Sequence, residues 1–391
     1  MSDEFYRIQR LPPYVFAEVN AMKAAARARG EDIIDLGMGN PDGSPPAHVI
    51  DKLAEVARKP HVHRYSTSRG IPGLRKAQAA YYKRRFNVTL DPDSEVIVTL
   101  GSKEGLANLA QAITAPGDVV LAPNPSYPIH SFGFIIAGAA VRSIPAAPGE
   151  AFFERLANSM RYTVPRPKVL VIGYPSNPTA YVADLSFYQR LVAFAREHEL
   201  IVISDLAYAE IYFGDVATPS ILEVEGAKDV AVEFTSMSKT YSMAGWRIGF
   251  AVGNARLIEA LARVKSYLDY GAFTPVQAAA VAAINGPQDI VDHNRNLYRR
   301  RRDVLVETFG RAGWEIPVPQ ASMFAWAPIP ERFHNLGSME FAKTLLSEAQ
   351  VAVAPGVGFG EEGEGFVRIA LVENEQRLRQ AARGVKKLLR S

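Results

Sequence analysis

The sequence predicts an α/β protein whose mainly parallel sheet is sandwiched by helices, with a smaller α/β domain at the C-terminal end. Between residues 48 and 285, short β-branched runs alternate with amphipathic helical segments, the pattern of a parallel sheet with crossover helices. Most of these runs are followed directly by polar turns that contain Gly or Pro. After Gly286-Pro287 the chain changes to a long, charged helical segment.

Each predicted element follows from its local pattern. Pro12-Pro13 interrupts the N-terminal arm before a helical segment around Val15 to Arg29. Helical periodicity also marks Lys103 to Ala115, Leu185 to Glu199 and Asp289 to Ala312. The predicted strands are Val96 to Leu100, Val119 to Ala122, Val169 to Ile172, Ile201 to Ser204 and Val230 to Phe234. Strand-like segments and a closing helix complete the chain.

The length of 391 residues predicts more than one domain. We expect residues 1–47 to form an N-terminal arm and part of a small domain. Residues 48–285 then form the large domain, and residues 286–391 form the C-terminal small domain.

The composition excludes several classes of protein. The chain has no Cys, which rules out disulfides, a thiolate nucleophile, iron–sulfur clusters and Cys-ligated zinc. A net charge of +3 lacks the basic excess of a nucleic-acid-binding protein. The histidines form no His-Glu-x-x-His, and His61 and His63 lack an obvious third ligand, so no metal site is predicted. The basic run Arg299 to Arg302 is predicted to be a solvated helix face.

No segment of the sequence predicts export or membrane insertion. The N-terminal residues MSDEFYRIQR carry acids where a signal peptide has bases, and they lack an apolar core. The longest apolar run, Phe132 to Val141, is far shorter than the roughly 20 residues that span a bilayer. We therefore expect a cytoplasmic protein that does not contact a membrane.

Lys239 is the first candidate catalytic residue. It follows an apolar strand directly, a position where a lysine is ordinarily a snorkelling surface residue. Free lysine is neutral in only about one molecule in several thousand at pH 7, so catalysis needs a lowered pKa or a covalent carbonyl partner. Ser236 and Ser238 beside it, and Arg247 shortly after, supply donors that suit a phosphate.

Further polar residues follow the other predicted strands, at the edge of the sheet where α/β proteins bind ligands. Asp205 is either a helix N-cap or the partner of a cation such as a protonated pyridine nitrogen, and Tyr208 could reach the same ligand. Asn177 is a turn residue whose amide could bind a phenolic oxygen. Gly101-Ser102-Lys103 opens a helix and so forms an anion site. Tyr127 lies on a turn from which its ring could stack on a flat ligand.

Arg368 lies within the apolar stretch Phe366 to Leu371, where an unpaired guanidinium is costly to bury. An anionic group is therefore expected to meet it. One candidate is an acid of the adjacent glycine-rich segment, and the other is a ligand carboxylate. The acids are Glu361, Glu362 and Glu364.

Two other motifs are incomplete. Gly37-Met38-Gly39 resembles the start of a dinucleotide-binding loop, but Asp42 stands where the third glycine is required. Ser236-x-x-Lys239 matches the motif of serine acyl-enzymes, yet the chain contains neither Lys-Thr-Gly nor Ser-Asp-Asn. We discount both interpretations.

Taken together, the turns resemble those of the class I and II aminotransferases, which are aspartate-aminotransferase-like, fold type I enzymes that use pyridoxal 5′-phosphate (PLP). The resemblance extends over nearly the whole chain. It is carried by Ser176-Asn177-Pro178-Thr179, Asp205-x-x-Tyr208, Ser236-x-Ser238-Lys239 with Arg247 following, and Arg368, in the order and approximate spacing of the family.

The resemblance implies a role for each of these residues. Lys239 binds PLP covalently and, once displaced by the substrate amine, moves the proton between the substrate Cα and C4′ of the cofactor. Asp205 keeps the pyridine nitrogen protonated, which makes the ring an electron sink. Asn177 and Tyr208 bind the phenolic oxygen, and Tyr127 stacks on the ring.

The same resemblance implies the remaining contacts. Arg368 binds the substrate α-carboxylate, assisted by Asn177 and the backbone of Gly39. Tyr65 reaches the phosphate of the neighbouring subunit, which implies a homodimer with shared active sites. The phosphate side of the cofactor site comprises Gly101, Ser102, Lys103, Ser236, Ser238 and Arg247.

Four shorter segments are similar to the bacterial alanine-forming glutamate-pyruvate aminotransferases. We therefore expect transfer between alanine and 2-oxoglutarate by a ping-pong mechanism. The alternatives are an aspartate, methionine, aromatic or LL-diaminopimelate aminotransferase, a PLP-dependent β-lyase, or a non-catalytic PLP-binding regulator. The segments are Arg10 to Phe16, Met38 to Asp42, Tyr65 to Gly70 and Ala321 to Phe324.

Overall fold

The structure, a computed structural model, describes residues 5–13 and 15–390. Its strands are β1 (Ile34–Asp35), β2 (Val96–Thr99), β3 (Val119–Asn124), β4 (Ala140–Pro145), β5 (Val169–Ile172), β6 (Ile201–Asp205), β7 (Ala231–Ser236), β8 (Gly249–Gly253), β9 (Phe324–Pro328), β10 (Val351–Ala352), β11 (Ala354–Pro355) and β12 (Phe366–Ala370). Seven of them form one sheet in the order β2-β8-β7-β6-β5-β3-β4.

The α-helices are α1 (Tyr6–Gln9), α2 (Phe16–Ala28), α3 (Ala47–Ala57), α4 (Pro72–Phe86), α5 (Ser102–Ile113), α6 (Ile129–Ala137), α7 (Glu150–Tyr162), α8 (Leu185–Glu197), α9 (Ala227–Val230), α10 (Met237–Thr240), α11 (Ala255–Leu268), α12 (Thr274–Asn285), α13 (Asp289–Ala312), α14 (Gly337–Ala349) and α15 (Glu375–Arg390). Short 3₁₀ segments lie at Pro60–His63, Ile221–Glu223, Ala244–Trp246, Glu331–Leu336, Gly356–Phe359 and Glu361–Gly363. None of the helices in these described ranges is long and apolar enough to cross a membrane.

The large sheet is mainly parallel, as predicted. Strands β4, β3, β5, β6 and β7 pair in parallel, whereas β8 pairs antiparallel with both β7 and β2. Parallel pairing places the carboxyl ends of β3, β5, β6 and β7 at one edge of the sheet. The turns that carry the predicted site residues therefore meet at this edge.

Two strands of the sheet were not predicted. Strand β8 begins at Gly249, where a Cβ atom would lie 2.6 Å from the backbone nitrogen of Ser102, so the close approach of two backbones requires glycine in an otherwise strand-like run. Strand β4 begins inside the longest apolar run. Gly138 ends α6 in the left-handed conformation, with a φ of 104°, and separates this helix from the strand.

Helices cover both faces of the sheet. Alternate residues of each strand point to opposite faces. Val96 and Val98 belong to the apolar core that includes residues of α3, α4, α7, α8 and α12, whereas Ile97 belongs to the core that includes residues of α5, α6 and α11. Because both faces are buried, the strands read as continuous apolar runs rather than as an alternating pattern.

A second apolar core lies between β9, β12 and helices α13, α14 and α15. Here β12 pairs antiparallel with β9 and β11. Strand β1, from the N-terminal part of the chain, pairs in parallel with β10. The predicted domain boundaries, at residues 47 and 285, stay a prediction.

Helix α13 has the predicted bounds, but one expectation about it is wrong. The basic run Arg299 to Arg302 was expected to be solvated, yet Arg301 is only 4% exposed. Its guanidinium donates to both carboxylate oxygens of Asp42, at 2.8 and 2.6 Å. A charge pattern alone cannot reveal this partner, because Asp42 lies 259 positions away in the sequence.

Candidate active site

A cavity of about 580 Å³ opens at the carboxyl edge of the large sheet, between that sheet and β12. Turns after β3, β5, β6 and β7 form its walls, because these strands end together at this edge. Most of the predicted site residues line it: Gly39, Ser102, Lys103, Tyr127, Asn177, Asp205, Tyr208, Ser236, Ser238, Lys239, Arg247 and Arg368.

Lys239 lies in α10, directly after β7, with its amine in the cavity. The Nζ atom donates to the backbone carbonyl of Gly39 at 2.7 Å. Burial, together with the nearby charges of Arg368 and Arg247, lowers the pKa of this amine to about 8. The neutral, nucleophilic form of the amine is therefore accessible near neutral pH.

Asp205, at the end of β6, faces a histidine that the sequence analysis missed. The Nε2 atom of His130 lies 2.9 Å from Oδ2 of Asp205, and His130 is 4% exposed. Asp205 also accepts a bond of 3.3 Å from the backbone of Ala207. Gly173 makes room for this pair, since a Cβ atom there would lie 2.9 Å from the imidazole ring.

His130 could have been found from one signal in the sequence. It lies in the first turn of α6, three residues after Tyr127, and their rings meet edge to face with centroids 5.9 Å apart. Residues three positions apart lie on the same face of a helical turn, so the sequence places His130 beside Tyr127.

Arg368, on β12, joins the second core to the large sheet. Its Nη1 atom donates to Oδ1 of Asn177 at 2.8 Å, and its Nη2 atom donates to the carbonyl of Gly37 at 2.8 Å. The guanidinium also lies 4.1 Å from the ring centroid of Phe324 and 4.7 Å from that of Phe359.

One acid proposed as an alternative partner of Arg368 is engaged elsewhere. The carboxylate of Glu364 accepts hydrogen bonds from the backbone nitrogen and the hydroxyl of Ser338. Tyr208 instead lies near Arg368 and packs edge to face on Phe324, with centroids 5.7 Å apart. Burial raises the pKa of Tyr208, which keeps its hydroxyl protonated and able to donate.

The residues of the predicted anion site lie close together where α5 begins. Gly101 has a φ of 85°, and a Cβ atom there would lie 2.2 Å from Nη2 of Arg247, so glycine lets the guanidinium lie against the start of the helix. Ser236 caps α10 by accepting from the backbone nitrogen of Ser238 at 3.1 Å. The hydroxyl of Ser102 donates to the carbonyl of Thr235 at 2.9 Å. A helix N-terminus, two hydroxyls and a guanidinium therefore surround one position.

This donor set fits PLP. The cofactor has a phosphate, a pyridine nitrogen, a phenolic oxygen and an aldehyde. The cavity provides basic and hydroxyl donors near Arg247, a partly buried carboxylate at Asp205, hydrogen-bonding groups at Asn177 and Tyr208, and the Lys239 amine.

Two predicted cofactor-binding residues are absent from the cavity lining: Gly101, which lies against Arg247 at the start of α5, and Tyr65. The side chain of Tyr65 is 85% exposed, and its ring centroid lies 4.6 Å from that of Tyr270. Tyr270 is itself exposed, and so are its sequence neighbours Tyr267 and Phe273. The predicted contact of Tyr65 with a neighbouring subunit stays a prediction.

Several known proteins are similar to this chain over nearly its whole length. The family "Aminotransferase class I and II" matches residues 31–385. The chain is 64% identical to "Putative aminotransferase AatC" of Rhizobium meliloti over 100% of this chain and 96% of that protein. It is 55% identical to "Glutamate-pyruvate aminotransferase AlaC" of Escherichia coli over 99% of this chain and 94% of that protein. A double mutant of Thermus thermophilus aspartate aminotransferase has a TM-score of 0.91 at 30% identity, covering 99% of this chain and 100% of the other.

The close approach of Arg247 to Gly101 predicts that a methyl group added at position 101 weakens PLP binding. In Gly101→Ala, the new Cβ atom displaces the guanidinium from the anion site. We expect the Kd for PLP to rise about tenfold or more, as loss of a charge-assisted contact implies. The Kd is measured by adding PLP to cofactor-free protein and following the absorbance of the bound cofactor.

Gly117→Ala is the matched control. Gly117 has a similar φ of 92°, but a Cβ atom there meets nothing within 4 Å, so this variant has the same backbone strain without the displacement. Equal PLP affinities of the two variants would contradict a role for Arg247 in the anion site.

Proposed function

Since this chain belongs to the class I and II aminotransferases, a PLP-dependent family, we propose that it transfers the amino group of L-alanine to 2-oxoglutarate, forming pyruvate and L-glutamate. The observation that carries this proposal is the convergence of Lys239, Asp205 and Arg368 in one cavity. The choice of alanine is supported by the similarity to the glutamate-pyruvate aminotransferase of E. coli.

The reaction is a ping-pong exchange in which the amino acid leaves as an oxo acid before the second oxo acid binds. When bound, PLP supplies a carbonyl that takes up the amino group and a protonated ring that withdraws electrons from the substrate Cα. The protein residues hold the reacting groups and move the proton.

Lys239 is the proposed base. Its Nζ atom removes the proton from the substrate Cα and later returns a proton on the product side. A pKa of about 8 lies close to neutral pH, so the amine can both accept and donate this proton. The Gly39 carbonyl, 2.7 Å away, orients the amine.

Asp205 is the proposed partner of the pyridine nitrogen. Its carboxylate is only partly exposed, in the cavity wall, and the hydrogen bond to His130 limits its rotation. Asn177 and Tyr208 are placed to bind the phenolic oxygen, and Tyr127 to stack on the ring. The start of α5, with Ser236 and Arg247, is proposed to hold the phosphate.

Arg368 is proposed to bind the substrate α-carboxylate. A guanidinium presents a planar pair of donors that matches a carboxylate, and the hydrogen bonds to Asn177 and Gly37 fix the plane of this group. Phe16 and Met38 also line the cavity. Their apolar side chains suit a substrate with a small apolar side chain.

The functional unit is proposed to be a homodimer with shared active sites. Support comes from Tyr65, which is exposed and lies outside the cavity lining of its own chain, next to the exposed Tyr270. An exposed aromatic cluster is typical of a protein interface. The cytoplasmic location stays a prediction.

A panel of substrates tests the proposed reaction. L-Alanine, L-aspartate, L-methionine, L-phenylalanine and LL-diaminopimelate are supplied as donors with 2-oxoglutarate, and glutamate formation is measured. We expect the highest kcat/KM with alanine. We also expect no glutamate from Lys239→Ala, because that variant lacks the amine that moves the proton.

The other outcomes of the panel are distinct. A higher kcat/KM with another donor would identify that amino acid, and not alanine, as the preferred substrate. A β-lyase is tested separately with L-cystathionine, which carries a thiol leaving group on Cβ: release of homocysteine, pyruvate and ammonia without an oxo acid would indicate that activity. Binding of PLP without turnover of any donor would indicate a regulator and contradict the proposed function.

Mixing two inactive variants tests the shared site. Tyr65→Phe and Arg247→Leu each weaken phosphate binding, and in a heterodimer one site collects both changes while the other collects neither. We therefore expect partial recovery of activity after subunit exchange at a low concentration of PLP. The exchange itself is followed with differently tagged subunits. If exchange is complete and activity does not return, Tyr65 serves its own subunit.

A further inference from the structure

One loop contacts both of the cations that act on the substrate. In the loop of residues 37–42, the Gly37 carbonyl accepts from Arg368 at 2.8 Å and the Gly39 carbonyl accepts from Lys239 at 2.7 Å. Gly39 has no room for a side chain, since a Cβ atom would lie 2.5 Å from the ring of Phe324. A shift of this loop would therefore move the hydrogen-bond partners of both cations together.

The end of this loop is held by a buried arginine outside the cavity. Arg301, on α13, donates to both carboxylate oxygens of Asp42 at 2.8 and 2.6 Å, and to the carbonyl of Leu371 at 3.1 Å. Leu371 directly follows β12, the strand that carries Arg368. Partial burial opposes ionisation of Asp42, but the hydrogen bonds and charge of Arg301 outweigh it and lower the pKa of this carboxyl.

The same face of α13 also reaches the Lys239 turn. Asn294, seven residues before Arg301 and on the same face of the helix, donates to the carbonyl of Thr240 at 3.0 Å. Both side chains are at most 5% exposed. One rigid helix thus contacts the Lys239 turn, the loop of residues 37–42 and the end of the Arg368 strand.

We infer that Arg301 is a positioning residue for substrate binding, which holds the 37–42 loop through Asp42 and the Arg368 strand through Leu371 in a fixed relative position. This inference rests on the proposed role of Arg368 in binding the substrate carboxylate. The guanidinium is required because three acceptors on two segments need a planar fork, and a lysine ammonium cannot bind a carboxylate in this bidentate geometry.

The test measures ligand binding without turnover. The probe is 2-methylalanine, which has the amino and carboxylate groups of the substrate but lacks the α-hydrogen. Its Kd is obtained from the change in cofactor absorbance when it is added to the PLP-loaded protein. The variants are Arg301→Lys and Asp42→Asn. Asp42→Asn changes a side chain that is 45% exposed, so this variant decides the test if Arg301→Lys does not fold.

Two further variants serve as controls. Arg377→Lys alters another bidentate arginine–aspartate pair, with Asp32 at 2.6 and 2.8 Å, which does not touch the loop. Arg368→Lys reports directly on binding of the carboxylate.

We expect the Kd for 2-methylalanine to rise about tenfold, or about 1.4 kcal/mol, in both Arg301→Lys and Asp42→Asn. The double variant should be no worse than the weaker-binding single variant, because both changes break the same contact. The Kd for PLP and the Tm should match those of Arg377→Lys. The inference is overturned if the 2-methylalanine Kd of Arg301→Lys and of Asp42→Asn lies within twofold of the Kd of Arg377→Lys, while Arg368→Lys still weakens binding. An unchanged Kd in Arg368→Lys would instead refute the proposed role of Arg368, and this inference with it.

Discussion

The cavity collects positive charge around a single acidic group, and much of the chemistry follows from this imbalance. Among the described residues that line it, Asp205 is the only carboxylate, whereas Lys103, Lys239, Arg247 and Arg368 are cations. The surplus suits a ligand that brings a phosphate and a carboxylate. It also contributes to the low pKa of Lys239, after burial, because two guanidinium groups disfavour a third charge nearby.

The sheet topology creates this arrangement. Parallel strands β5, β6 and β7 end side by side, so Asp205, at the end of β6, lies between the turns that carry Asn177 and Lys239. Arg368 comes from a different sheet, so the strand order of the large sheet does not fix its position. Its hydrogen bonds with Asn177 and Gly37 hold it in place and close the cavity between the two cores.

Most of this site could be predicted from the sequence because its residues directly follow recognisable strands. Lys239, Asp205 and Asn177 are examples, and the motifs around them are characteristic of the family. The spacing from Tyr127 points to His130, but its pairing with Asp205 could not be predicted, because this contact depends on the sheet order β6-β5-β3.

Two other features also needed the three-dimensional structure. Strand β8 contains glycines that serve close backbone approach, so its sequence does not resemble an ordinary strand. Arg301 is buried because it pairs with Asp42 in a distant loop. The basic sequence from Arg299 to Arg302 carries no information about that partner. The local sequence pattern therefore predicts the site residues that lie at strand ends. Residues such as His130 and Arg301 are linked to the site through contacts with residues that are distant in the sequence.

The role of Asp205 can be tested most directly with Asp205→Asn, by measuring both the Kd for PLP and the kcat/KM for alanine. A cation about 4 Å from a carboxylate is stabilised by roughly 4 kcal/mol at an effective dielectric constant of about 20, and the neutral amide lacks most of this interaction. We expect that PLP still binds, through the phosphate contacts, while kcat/KM falls about a hundredfold or more. Near-normal turnover in Asp205→Asn would contradict a role for this carboxylate in protonating the cofactor and leave it as a structural cap.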